Sequence, residues 1–139
     1  MSVRSFLDTN VLVYSDDHDA PRKQRRSLEL IAEARRGRTG AISTQVLSEY
    51  FATVTRKLGV AAEVARRKVE LFAHLDLVLL GRDDVLAAID LHRLHGLSFW
   101  DALIVRAARQ ARCAVLYSED LQHGSKVDGL RVLNPFAET

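Results

Sequence analysis

Four acidic residues, far apart along the chain, have side chains that suit divalent-cation chemistry. Each follows a short apolar run or lies near the start of a predicted helix; they are Asp8, Glu49, Asp101 and Asp120, here called the four acids. Two carboxylates about 4 Å apart repel each other by roughly 4 kcal/mol at an effective dielectric constant near 20. A cluster of such groups is stable only when they are protonated or neutralised. Oxygen ligands without cysteine favour Mg²⁺ or Mn²⁺ over Zn²⁺, so the set predicts a magnesium or manganese site wherever the fold gathers it.

Each of the four acids also has an explanation that needs no ligand. Asp8 could cap the turn or helix that follows it, because aspartate is a favoured capping residue. Asp101 stands three residues after Ser98, which is the spacing of a capping box. Glu49 has no basic residue three or four positions away and could be an ordinary surface glutamate. Asp120 could be a turn residue, so only the joint placement of the acids favours a shared site.

The elements that must position these acids alternate between short apolar runs and longer amphipathic segments. Strands are predicted at 3–7, 41–43, 77–80, 114–117 and 130–133, with helices over 11–14, 21–36, 44–58, 61–74, 83–95 and from 98 onward. This alternation predicts a three-layer α/β/α domain with a central, mainly parallel sheet. Ligand sites in such sheets lie beyond the carboxyl ends of the strands, where the four acids are expected to meet.

Several local features are predicted in more detail. Gly37 is expected to end the second helix, and Thr44 is expected to cap the third. The apolar run 77–80 predicts a strand that is buried on both faces. Tyr50 and Trp100 adjoin two of the four acids and could stack on bases, but their helical spacing favours packing in the core.

Composition limits the class of protein. The 139 residues fit one domain spanning 1–139, and 47% apolar with 27% charged residues is typical of a globular chain. No stretch approaches about 18 consecutive apolar residues, so no membrane span is expected. The N-terminus lacks the apolar core of a secretory signal. Cys113, the single cysteine, allows neither an internal disulfide nor a multi-cysteine zinc site, and the cytoplasm is the expected compartment.

Four segments around the acids resemble the motifs of one nuclease family. They are FLDTNVLVY (6–14), STQVLSEY (43–50), LSFWDALI (97–104) and LYSEDL (116–121), and they extend over almost the whole chain. Their order and spacing resemble those of PIN-domain ribonucleases. The small size of the chain, with nothing appended to the domain, resembles the VapC-type toxins of toxin–antitoxin pairs.

The resemblance implies an endoribonuclease that hydrolyses RNA phosphodiester bonds with Mg²⁺, or with Mn²⁺ as a substitute. The residues that match the family's metal-binding and catalytic acids are Asp8, Glu49, Asp101 and Asp120. Asn10 and Ser118 match polar residues near the family's site. Glu119 is adjacent to Asp120, and either carboxylate could serve in the fourth motif.

The resemblance also implies partners: an RNA substrate, a cognate small antitoxin protein and a second copy of the chain in a homodimer. The net charge of +2 is mildly basic. Basic residues that could contact RNA phosphates form three clusters: Arg22, Lys23, Arg25, Arg26, Arg35, Arg36 and Arg38; Arg56 and Lys57; and Arg66, Arg67 and Lys68. A solvated helix face is the alternative explanation for each cluster.

Two other classes of function stay open at this point. A PIN-like domain without catalytic activity could bind RNA or a partner protein. A metal-dependent phosphatase or a receiver-like α/β domain also places acids at strand ends. A phosphatase of the haloacid-dehalogenase type would need an aspartate where Asn10 stands, and Lys126 is poorly placed for the lysine of a receiver.

Overall fold

In the computed structural model, which describes residues 3–137, six strands form a single sheet. The strands are β1 (Ser5–Leu7), β2 (Gly40–Ser43), β3 (Asp76–Val78), β4 (Val115–Tyr117), β5 (Lys126–Val127) and β6 (Leu130–Leu133). Their order is β3-β2-β1-β4-β6-β5, and all the pairings are parallel except that of β5 with β6. The predicted central, mainly parallel sheet is therefore confirmed.

Helices flank this sheet and complete the predicted three-layer α/β class. They are α1 (Thr9–Tyr14), α2 (Pro21–Gly37), α3 (Thr44–Lys57), α4 (Ala62–Phe72), α5 (Arg82–His95) and α6 (Phe99–Gln110). As predicted, Pro21 begins α2, where its missing N–H costs no hydrogen bond. Within the described part of the chain, no helix is long and apolar enough to span a membrane.

The core lies against the three central strands. Phe6 of β1, Ile42 of β2 and Leu116 of β4 are completely buried, because helices cover both faces of the sheet at these positions. Each such side chain contributes roughly 1.5–3 kcal/mol to stability through its burial. Tyr50 of α3 is also completely buried and packs edge-on against Phe72, so its predicted place in the core is confirmed.

The predicted doubly buried strand at 77–80 is wrong. Strand β3 covers only Asp76–Val78 and forms an edge of the sheet, and Leu79 beyond it is 71% exposed. The short β5 was also missed. It forms a hairpin with β6 through Asp128 and Gly129, which both have positive φ, and this Asp-Gly pair is a hairpin signal in the sequence.

Two helix ends also differ from prediction. Gly37 lies inside α2, and Arg38 takes the left-handed conformation that ends the helix. Ser43 caps α3 in place of Thr44, because the Ser43 Oγ accepts a hydrogen bond from the backbone N–H of Val46 at 3.3 Å. These one-residue shifts leave the paths of both helices as predicted.

Candidate active site

The carboxyl ends of β1 and β4 are neighbours in the sheet, and residues that follow both strands line one cavity. Asp8 follows β1 directly, and Asp120 lies three residues after β4. The other two members of the four acids come from α3 and from the first turn of α6. All of the four acids line this cavity, which has a volume of about 570 Å³ and is here called the acidic cavity.

Asp8 is the most deeply placed of the four acids, with 3% of its surface exposed. Its Oδ1 accepts a hydrogen bond from the backbone N–H of Thr9, and its Oδ2 accepts one from the Oγ of Ser118, both at 2.7 Å. Asp8 therefore caps α1 and also belongs to the acidic cavity. Burial is the main cause that raises the pKa of Asp8 to about 7. The two hydrogen bonds lower the pKa in part, and the negative charges of Asp120 and Asp101 raise it.

Ser118 and Asn10 connect the first motif to the fourth. The Oγ of the fully buried Ser118 donates to Asp8 and accepts from the backbone N–H of Asp120 at 3.1 Å. The Nδ2 of Asn10 donates to Oδ2 of Asp120 at 3.2 Å, and its Oδ1 accepts from the backbone N–H of Glu119 at 3.4 Å. Both polar residues singled out from the sequence thus contact the acidic segments directly.

Glu119 occupies a different environment from its neighbour Asp120. Its carboxylate accepts hydrogen bonds from the hydroxyl of Tyr14 at 2.7 Å and from the Nζ of Lys23 at 2.6 Å. The same Nζ lies 4.7 Å from the centroid of the Tyr14 ring. Glu119 is therefore neutralised outside the acidic cavity, whereas Asp120 lines it.

The two acids carried by helices are held less tightly than Asp8. The hydroxyl of Thr9 donates to Oε1 of Glu49 at 2.8 Å, so the first motif also orients the second. Asp101 donates its backbone N–H to the Oγ of Ser98 at 3.1 Å, which confirms Ser98 as the cap of α6. Burial raises the pKa of the Asp101 carboxyl, a hydrogen bond between that carboxyl and the Ser98 side chain lowers it in part, and the charge of Asp120 raises it further.

Trp100 is a correction to the sequence analysis. Its predicted place in the core is wrong, because it is 61% exposed and lines the acidic cavity. Ile104, one turn later in α6, is buried in the core and also reaches the cavity wall. The face of α6 that packs on the core at Ile104 therefore borders the cavity, and not the core, in the first turn of the helix. Helical periodicity cannot show where a neighbouring layer ends.

The sequence itself identifies the family to which this fold and cavity belong. The family described as PIN domain matches residues 5–128. The chain belongs to the PIN domain family. The family resemblance drawn from the four acidic motifs is confirmed. Comparison with curated protein sequences finds no significant match.

Solved structures share the PIN fold at low sequence identity. A toxin–antitoxin complex from Klebsiella pneumoniae has a TM-score of 0.68 and 18% identity, covering 95% of this chain and 98% of that one. Mycobacterium tuberculosis VapC20, described as a Sarcin-Ricin loop cleaving toxin, has a TM-score of 0.69 and 22% identity over 84% and 89% of the two chains. DNA-bound VapBC from Salmonella typhimurium has a TM-score of 0.67 and 17% identity over 94% and 97%. These likenesses establish the fold.

The donor set of this PIN domain fits the divalent cation that the family generally uses. Across residues 3–137, no three acidic, histidine or cysteine side chains converge into a preassembled metal site. None of the four acids forms an ion pair within those residues either, and the pKa values of Asp8 and Asp101 are raised by burial and by neighbouring negative charge. Uncompensated carboxylates repel one another, and a cation between them would remove that repulsion.

Proposed function

We propose that this PIN domain is an endoribonuclease that hydrolyses RNA phosphodiester bonds with Mg²⁺, or with Mn²⁺ in its place. The observation that carries the proposal is the acidic cavity: its four carboxylates have no ion-pair partner within the described residues. Asp8 is buried without a compensating charge, which is unfavourable for stability, so its presence favours a functional role. Membership of a family of nucleases supports this role.

In this proposal the four acids hold the cation through their carboxylate oxygens. When bound, a divalent ion supplies a water nucleophile of lowered pKa and neutralises charge that develops on the phosphate. Hydrogen bonds from Ser118 and Thr9 orient the carboxylates of Asp8 and Glu49, and Asn10 orients that of Asp120. Such contacts typically raise metal affinity because they hold the ligands in place before the ion arrives.

The direct test is cleavage of a single-stranded RNA, labelled at its 5′ end, by the purified full-length chain. We expect cleavage in Mn²⁺ and Mg²⁺, none in excess EDTA, and recovery when the metal is restored. The products should carry a 5′-phosphate and a 3′-hydroxyl, which ligation of the fragments can verify. Absence of cleavage with either metal across a panel of RNAs would leave a non-catalytic PIN domain as the better assignment.

We further propose that the chain is the toxin of a VapBC-type pair, acting in the cytoplasm as a single domain over 1–139. Its partners are then a cognate small antitoxin protein and a second copy of the chain. The support is that structures with the same fold include toxin–antitoxin and VapBC complexes that cover nearly all of this chain.

A growth experiment tests the toxin role. We expect induced expression of the wild-type chain alone to stop bacterial growth, because unrestrained RNA cleavage halts protein synthesis. Coexpression of the small protein encoded beside it should restore growth. The Asp8→Asn variant, expressed to the same level, is the matched control and should be harmless. Normal growth with abundant, folded and RNA-cleaving wild-type protein would refute the toxin role without affecting the nuclease proposal.

A further inference from the structure

The only tryptophan of the chain stands open at the mouth of the acidic cavity. Trp100 precedes Asp101 directly and lines the acidic cavity together with the four acids. It also lines an adjoining, mostly apolar depression of about 450 Å³, whose walls include Leu80 and Leu103. Trp100 therefore borders both the acidic cavity and a mostly apolar depression, and Glu49 also lines both.

The position of Trp100 is restrained in spite of its exposure. The Phe99 ring meets the indole edge to face, with the centroids 5.1 Å apart and the planes at 73°. The Nε2 of Gln45 donates to the backbone carbonyl of Trp100 at 3.2 Å, which ties the first turn of α6 to α3. A restrained aromatic surface loses little conformational entropy when a flat ligand stacks on it.

Two cations lie in the wall of the same cavity. Arg56 and Lys57, in the last turn of α3, both line the acidic cavity and are exposed. Among the described residues, neither side chain forms a hydrogen bond or an ion pair, although carboxylates line the same cavity. The cavity thus presents unpaired cations and an open aromatic side chain together. A single strand of nucleic acid complements both features, because its phosphates can contact the cations and its bases can stack on the aromatic ring. In a duplex the bases are already stacked inside and cannot reach the ring.

We propose that Trp100 is the platform on which a nucleobase of single-stranded RNA stacks beside the phosphodiester to be cleaved, with Arg56 and Lys57 contacting neighbouring phosphates. The assignment of the cleaved bond rests on the proposed function, whereas the stacking itself does not. The adjoining, mostly apolar depression accommodates the next base along the strand. Stacking on an aromatic side chain tolerates any base, so Trp100 favours single strands over duplexes without selecting a sequence.

Because the chain has one tryptophan, its tryptophan fluorescence, excited selectively over that of the three tyrosines, reports on this position alone. The wild-type chain in EDTA, which prevents cleavage, is titrated with a short single-stranded RNA and with the same strand made abasic. We expect saturable quenching by the base-bearing strand and little change with the abasic strand or with tripolyphosphate. Equal quenching by all three probes would overturn the proposal, because charge alone would then explain the signal.

Variants of Trp100 test the same point without relying on fluorescence. We expect Trp100→Ala to weaken the binding of labelled single-stranded RNA, followed by anisotropy, about tenfold. Trp100→Phe keeps an aromatic face and should retain most of the affinity. Leu94→Ala is the matched control, because Leu94 is 77% exposed and lies in α5 away from the acidic cavity. Circular dichroism verifies the fold of each variant, and unchanged RNA affinity in folded Trp100→Ala would overturn the proposal.

The outcomes separate this inference from the proposed function. If the wild-type chain cleaves RNA and the KM of Trp100→Ala is unaltered, the nuclease proposal stands and the platform proposal is refuted. If only the base-bearing strand quenches the Trp100 fluorescence and the chain cleaves no RNA in Mn²⁺ or Mg²⁺, the platform proposal is supported and the nuclease proposal is refuted. A Trp100→Ala variant that binds RNA normally but resists inhibition by the antitoxin would assign the exposed indole to a protein partner, and the platform would again be refuted.

Discussion

Asp8→Asn abolishes RNA cleavage by this PIN domain, with an expected loss of at least about a thousandfold in kcat/KM, equivalent to roughly 4 kcal/mol of transition-state stabilisation. The substitution removes a negative charge from the lining of the acidic cavity while it conserves the shape of the side chain. The amide oxygen of the introduced asparagine can still accept the hydrogen bond from the backbone N–H of Thr9, so α1 keeps its cap. The loss therefore reflects the missing ligand charge rather than misfolding.

The measurement compares initial cleavage rates in Mn²⁺ for the wild type, Asp8→Asn and Asp90→Asn. Asp90 is exposed on α5 and provides the same chemical change away from the acidic cavity, so its substitution should leave the rate within about twofold, as surface changes do. Circular dichroism establishes that each variant is folded. Undiminished, metal-dependent cleavage by Asp8→Asn would remove Asp8 from the catalytic set.

The stability of the metal-free protein should fall as pH rises from about 4 to about 7. Burial raises the pKa of Asp8 to about 7 from its ordinary value of 3.8, so between these values the native chain keeps a proton that the unfolded chain has lost. Unfolding then becomes easier with each unit of pH, up to a total on the order of 4 kcal/mol, and the trend ends above pH 7. The raised pKa of Asp101 acts in the same direction.

Urea denaturation in EDTA at a series of pH values measures this loss, and Asp8→Asn is the matched control. The variant has no proton to lose at position 8, so its stability relative to that of the wild type should increase between pH 4 and pH 7. A difference that is constant over this interval, or that shrinks as pH rises, would contradict the raised pKa of Asp8.

Metal binding should show the opposite pH dependence. A proton on Asp8 competes with the cation, so the apparent affinity for Mn²⁺ should rise with pH up to about 7, by at most about tenfold per unit, and then level off. Calorimetry in two buffers of different ionisation enthalpy counts the proton released on binding. Mn²⁺ affinity that is independent of pH from about 5.5 to 7.5, in a protein that does bind Mn²⁺, would show that Asp8 is not protonated in the metal-free state.

The sequence alone determined the features that depend on neighbours in the chain. Alternating apolar runs and amphipathic segments established the α/β class and the parallel sheet, and the serine before α6 marked its cap. The four acidic motifs indicated the family because the residues within each motif are contiguous and the motifs have a characteristic order and spacing. Asp8 and Asp120 follow parallel strands, whose carboxyl ends share one edge of a sheet, so the place where these two acids meet could also be predicted.

Only the tertiary structure decided which side chains touch and which of them meet water. Asp8 and Ser118 are 110 positions apart, and the hydrogen bond between them requires β1 and β4 to be neighbours. Glu119 and Asp120 are adjacent acids in the sequence, yet the former pairs with Lys23 while the latter lines the cavity. The exposure of Trp100 likewise depends on where the core ends beneath α6. Burial, ion pairing and desolvation arise from distant segments packed together, so no local pattern encodes them.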